Sequence, residues 1–188
     1  MADQQTELDV VDELTMDHRE ALALLGQIES SNDHQERRDL TDVVISEVVR
    51  HAVAEEMYVY PTIRDHLPNG KKVVEHDKKE HKQLEEIMKR LEGLRPDEAG
   101  FGSLVRELTE TLRHHAHDEE TEQFPQLRKH VERDQLVELR ERIDMAKKLA
   151  PTRPHPGAPR SELFHKIVGP GVGMVDRLRD ALSYRPNL

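Results

Sequence analysis

A histidine with glutamate four residues on, a second acid beside that glutamate, and an aromatic–proline pair to close occurs twice in this chain. The copies are His51-Ala-Val-Ala-Glu55-Glu56-Met-Tyr58-Val-Tyr60-Pro61 and His115-Ala-His-Asp-Glu119-Glu120-Thr-Glu122-Gln-Phe124-Pro125, offset by 64 residues. On a helix, residues four apart lie one above the other on one face. Two such faces turned toward each other surround one point with two imidazoles and two carboxylates. That arrangement is a metal site, and its duplication implies two ions.

The repetition extends upstream. Each HxxxE segment follows a helix-like stretch with one histidine in its first half, around His18 and His81, and these two are offset by 63. The later histidines His66 and His130 each lie 15 residues beyond their motif histidine. Self-similarity on this scale marks a duplicated unit. Two copies are too few for a solenoid, so the expected fold is all-α: an up-down four-helix bundle.

Apolar residues at steps of three and four place the helices. The spacing predicts helix one over about Leu8–Ser30, helix two over His34–His66, helix three over Lys71–Leu94 and helix four over Gly102–His130. Leu67-Pro68-Asn69-Gly70 and Arg95-Pro96-Asp97 read as turns. Pro61 and Pro125 fall late in helices two and four, where each is expected to bend the helix or tighten its last turns. A fifth helix, about Asp134–Leu149, lacks a ligand pattern and is expected on the outside of the bundle or in an oligomer contact. A proline-rich linker over 150–159 leads to a short helical arm over Val172–Ser183, patterned on Val175, Leu178 and Leu182, that folds back or grips a neighbour. The chain therefore divides into a bundle at 1–150 and an arm at 151–188.

His18, His51, Glu55, His81, His115 and Glu119 all fall on the apolar stripes of their helices. A carboxylate buried there is costly unless paired or bound to metal. One isolated HxxxE would be an ordinary surface ion pair; two copies in register, each partnered by a histidine on an apolar stripe, are not. Two six-coordinate ions offer about 12 positions. Four imidazoles, two bridging carboxylates and a bridging oxide or hydroxide fill about ten of them. This set is too large for the closed tetrahedral sites that zinc prefers. Two iron ions fit best, with two manganese ions the second choice. Glu56 and Glu120 are expected beside the site, orienting its ligands. His114, His117 and His76 fall off the inward register and are expected to face solvent.

This ordered set, His18, His51-xxx-Glu55, His81 and His115-xxx-Glu119, resembles the hemerythrin-like HHE cation-binding family over roughly residues 8 to 131. The resemblance implies a non-heme di-iron centre in the bundle, one iron on His18 and His51, the other on His81 and His115, with Glu55 and Glu119 bridging. Oxygen-carrying members have HxxxH on helix three and HxxxxD on helix four. Here the residue four before His81 is Asp77, and helix four carries HxxxE. The missing histidine argues against simple oxygen carriage and leaves a position that Tyr58, Glu122 or Asp77 could take; Tyr58 is the expected one.

The chemistry this implies is the handling of O2, peroxide or NO, with disproportionation of hydrogen peroxide preferred. The alternative is an oxygen, iron or redox sensor that binds without turnover. Catalytic residues beyond the ligands are not evident. A net charge of −10 opposes nucleic-acid binding and adsorption to an anionic membrane. The chain has no cysteine, which removes disulfides, iron–sulfur clusters and thiol chemistry. An acidic, polar N-terminal segment unlike a secretory signal, and no long apolar run, lead to the expectation of a cytoplasmic protein.

Overall fold

The computed structural model describes residues 7–157 and 169–182. These residues are helical, with no strand among them. Helix α1 (Val10–Ser30) starts at Asp9, whose carboxylate accepts from the Val11 and Asp12 amides while Asp12 returns a bond to the Asp9 amide. Such a reciprocal cap contributes about 1 kcal/mol. Asp33 caps α2 (His34–Ala54), its carboxylate accepting from the Gln35 and Glu36 amides. Then come α3 (Tyr60–His66), α4 (Gly70–Glu92), α5 (Phe101–Asp118), α6 (Phe124–His130), α7 (Arg133–Leu149) and α8 (Gly169–Leu182).

Helices two and four of the sequence reading are each interrupted. Glu55–Val59 joins α2 to α3 as a π-turn, and Glu119–Gln123 joins α5 to α6 as another. The Tyr60 amide donates to Glu55 O, and the Phe124 amide to Glu119 O, each five residues back. The prolines were expected to bend or tighten the helix; it widens instead. Proline has no N–H for the carbonyl four residues earlier and its ring crowds that carbonyl. An extra residue in the preceding turn relieves both problems. Single π-turns of this kind gather at functional sites.

At the α3–α4 corner Asn69 is left-handed (φ 60°), and Gly70 passes so close to α3 that a Cβ would lie 2.1 Å from Ile63 O. This close approach turns α4 back along α3. Around the bundle α1 packs on α2 and α5, and α4 on α5, α3 and α2.

The apolar interior is in two pieces. One contains Leu25, Ile28, Val44, Ile45, Leu84, Met88, Leu91, Phe101 and Leu108. The other contains Val10, Leu14, Met57, Ile63, Val74, Phe124, Leu127 and Ile143. Each fully buried Leu or Ile contributes about 1.5–3 kcal/mol. Between the pieces lies a belt of buried polar side chains: His18, His51, Glu55, Glu56, Asp77, His81, His115 and Glu119.

Helix α7 lies on the outside of the α1–α2 pair, as expected, and covers the first π-turn. The linker and arm fold back on the bundle. Contrary to the expected apolar pattern, Val175 is exposed, and the docked face of α8 is built from Gly173, Asp176 and Asp180. Arg153 pairs with Asp180 and Glu92, and His155 Nε2 lies 2.9 Å from Asp176 Oδ2. A Cβ on Gly173 would lie 2.4 Å from Leu149 O, so only glycine lets α8 sit this close. The side chains of Leu178 and Leu182, and residues 158–168 and 183–188, lie outside the described residues.

Candidate metal centre

Each of the four belt histidines has its Nδ1 against a carboxylate from a neighbouring element. His18 Nδ1 lies 3.0 Å from Glu120 Oε1, and His81 Nδ1 lies 3.1 Å from Glu56 Oε1. His51 Nδ1 lies 2.9 Å from Asp17 Oδ2, and His115 Nδ1 lies 3.0 Å from Glu80 Oε2. An Nδ1–H donated to an acid fixes the ring and leaves Nε2 with its lone pair free.

All four Nε2 atoms point into the belt. His18 and His51 approach to 3.2 Å, His81 and His115 to 3.3 Å. Glu55 Oε2 lies 3.1 Å from His51 Nε2 and 3.3 Å from His81 Nε2. Glu119 Oε2 lies 3.3 Å from His18 Nε2 and 3.5 Å from His115 Nε2. The imidazoles thus form two pairs, and each carboxylate reaches one ring of each pair. Neighbouring donors around one ion at about 2.1 Å sit about 3.0 Å apart in an octahedron and about 3.4 Å apart in a tetrahedron. The observed spacings fall in that range.

The two carboxylates are orphaned. Glu55 is 0 % exposed and Glu119 is 1 % exposed, yet neither oxygen of either one makes a hydrogen bond of acceptable geometry among the described residues. An ionised carboxylate in that state is strongly disfavoured unless a cation meets it. A cation shared with the facing Nε2 atoms would meet the Oε2 of each.

Electrostatics point the same way. Burial works against a charged His51, but the charge of Glu55 and the hydrogen bond to Asp17 prevail and hold it up at about 10. Burial likewise opposes charge on His81, and Glu55 with Glu56 hold it at about 9. Burial raises Glu55, and the facing imidazoles of His51 and His81 outweigh it and hold the carboxyl well below the usual range. Six carboxylates, Asp17, Glu55, Glu56, Glu80, Glu119 and Glu120, touch four imidazoles. The belt is a sink for positive charge.

The π-turns decide which aromatic enters. With α-helical spacing, Tyr58 and Glu122 would follow Glu55 and Glu119 inward. The extra residue rotates them away: Tyr58 packs half-buried against the apolar cluster around Ile63, and Glu122 is exposed. Tyr60 and Phe124, also 64 apart, point in instead. Tyr60 Oη lies 2.9 Å from His81 Nε2, and Phe124 stacks on His18 with ring centroids 6.0 Å apart. Tyr60, and not Tyr58, is therefore the tyrosine that reaches the belt. Asp77 is fully buried, but its Oδ1 accepts from Gln123 Nε2 at 3.0 Å, and it stands outside the converging donor sets. Burial above all, then the charge of Glu119, pushes Asp77 up to about 8.

Asp17 and Glu80 were not singled out from the sequence, although the signal is plain in retrospect: an acid directly precedes each lone histidine, in Asp17-His18 and Glu80-His81. Lys147 carried no such signal. It comes from α7 to lie 2.6 Å from Asp17 Oδ2. Beside His18 and His51 opens a cavity of about 300 Å3, walled by Ala21, Leu24, Val48 and Leu112, with Glu20, Glu47 and Arg50 also lining it.

The pattern of the family described as Hemerythrin HHE cation binding domain matches residues 9–127, a span containing every belt donor named above. An uncharacterized hemerythrin-like protein of Schizosaccharomyces pombe is 29% identical over 178 residues, 94% of this chain and 88% of that protein. A DNA nickase of a Nostoc species is 24% identical over 141 residues, 75% of this chain but 40% of the nickase. The crystal structure of a Hemerythrin HHE cation binding domain-containing protein from Mycobacterium kansasii superposes with a TM-score of 0.65 at 22% identity. That match covers 75% of this chain and 86% of that one, and it shows a shared fold.

Proposed function

The chain belongs to the hemerythrin HHE cation-binding family, and on that premise we propose that its belt holds two iron ions, with manganese the second choice, and handles O2, peroxide or NO. Disproportionation of hydrogen peroxide to water and O2 is the preferred activity. The observation that carries this reading is the orphaned pair Glu55 and Glu119, each facing an Nε2 from both histidine pairs. A pair of redox-active ions supplies the one- and two-electron chemistry that a cysteine-free chain lacks.

The side chains divide the work unequally. His81 and His115 have Tyr60 as a fifth neighbouring donor, which takes the place of the absent histidine. His18 and His51 have the apolar face of Phe124 instead. That half has one protein donor fewer, and it is the half that the cavity reaches. A diatomic gas or peroxide fits there easily. Ala21, Leu24, Val48 and Leu112 exclude bulk water, while Glu20, Glu47 and Arg50 offer groups to pass a proton. Asp17 and Glu120 hold the Nδ1 protons of His51 and His18, so neither ring can turn or hand over that proton freely.

The acidic chain gives phosphate backbones no basic face, and the reading includes no nucleic-acid partner. Among the described residues no helix is long and apolar enough to cross a membrane. The reading places the protein in the cytoplasm. One observation favours the sensor alternative: Lys147 ties Asp17, and through it His51, to the helix on which the arm docks.

Metal analysis, an absorption spectrum and an O2-electrode assay with H2O2 test the reading. Two irons per chain, a phenolate-to-iron band lost in Tyr60→Phe, and O2 release over many turnovers are expected. Iron-replete protein that releases no O2 would exclude peroxide disproportionation and leave the sensor. Protein purified without bound metal, and unable to take it up, would overturn the centre itself.

A further inference from the structure

A second meeting of histidines and acids lies on the surface, outside the belt. His76 and Glu80 are four apart on α4, and His114 and Asp118 are four apart on the adjoining α5. They repeat the belt's HxxxE spacing at a register that faces outward. His76 Nε2 lies 3.4 Å from Glu80 Oε1, and His114 Nδ1 lies 3.5 Å from both Glu80 Oε1 and Asp118 Oδ2. His76, Glu80 and Asp118 each present a ligand atom within 4.8 Å of the other two.

We infer that these four side chains form a separate cation site for a zinc-like divalent ion. Two imidazole nitrogens and two carboxylate oxygens are an N/O set of the kind zinc takes, and three of its contacts, His76–Glu80, His114–Glu80 and His114–Asp118, are 3.4–3.5 Å long, close to the roughly 3.4 Å edge of a tetrahedron around such an ion. Nearest-partner geometry explains why Glu80 can serve two centres. Its Oε2 holds His115 Nδ1 at 3.0 Å, while its Oε1 turns outward to the surface histidines. The helices fix both acids, and the side chains of His76 and His114 are 57% and 65% exposed, so an ion reaches them without any opening of the bundle. Beside the site runs a groove lined by His76, Asp118, Thr121 and Gln126, with buried Asp77 at its inner wall. Asp77 Oδ2 has no hydrogen-bond partner among the described residues.

The site stands whether or not the belt holds iron, and the test keeps the two apart. Zn2+ is titrated calorimetrically into the protein as purified, and Co2+ into the metal-stripped protein, for the wild type and the His76→Ala/His114→Ala double variant. In both titrations the wild type should take up one equivalent more than the double variant. The cobalt form should add d–d bands of tetrahedral intensity that the variant lacks. Asp118→Asn alone should weaken the same equivalent at least about tenfold. Because the replaced imidazoles are exposed, the variant should melt with the wild type. Equal uptake by wild type and double variant, in either titration, overturns the site whatever the metal content of the belt.

Discussion

Lys147 reaches from α7 to the belt, and removing its charge tests whether that reach holds His51 in place. Its Nζ lies 2.6 Å and 2.8 Å from the two oxygens of Asp17 and 3.1 Å from Glu13 Oε1; Asp17 Oδ2 in turn accepts from His51 Nδ1 at 2.9 Å. Lys147→Met keeps the aliphatic stem and deletes the ammonium. The attraction of one such pair is about 4 kcal/mol at an effective dielectric near 20, most of it offset by drawing the ammonium from water. What remains is the penalty on the acid left behind, about 3–5 kcal/mol for a fully buried pair. The side chains here are 11% and 20% exposed, so solvent recovers part of it and a loss of about 2 kcal/mol is expected. In a chain of this size that lowers Tm by about 4–8 °C. A loosened Asp17 also frees the His51 ring, and losing such a partner weakens metal binding about 10–100-fold. Calorimetry and the rate of metal loss to a chelator read both effects, with exposed Lys148→Met as control. A Tm within about 1 °C of wild type together with unchanged metal loss would refute the idea that α7 buttresses His51.

Gly173→Ala should lift α8 from the end of α7, since its Cβ would meet Leu149 O at 2.4 Å; faster amide exchange over α8 with an unaltered belt spectrum would show it. The bond to Asp176 outweighs the half-burial of His155 and raises its pKa above the ordinary 6.5. The docking it lends is therefore complete below about pH 6.5 and lost as pH climbs through the raised value, and His155→Ala should flatten that dependence of α8 exchange. In metal-free protein Asp77 keeps, up to about pH 8, a proton that the unfolded chain releases near 3.8. Stability is then lost as pH rises between those values, so Asp77→Asn should raise the metal-free Tm at pH 7 and leave it unchanged near pH 3.

The bundle and the belt were legible because both rest on periodicity. His18, His51, Glu55, His81, His115 and Glu119 sit at helical steps among apolar residues, and duplication showed the pattern twice. Tyr60 was misread as Tyr58 because a regular helical period assigns seven residues after His51 to the inward face. Only the widened turn, forced by a proline that follows, shifts the register to nine. The arm folds back as expected, but its docked face differs at Val175 for another reason: Asp176 and Asp180 turn inward to meet Thr152, Arg153 and His155, partners supplied by the linker. Lys147 escaped notice because nothing local to α7 announces a contact with residue 17; that link exists only once α7 lies across α1 and α2.

Glu55 and Glu119 each face one imidazole from both histidine pairs, and this ties the two seats together. On the proposed two-ion reading, the first cation to arrive would order a carboxylate on behalf of its neighbour, so the second would enter a place already shaped for it. Filling would then be cooperative, with half-loaded chains scarce between empty and full.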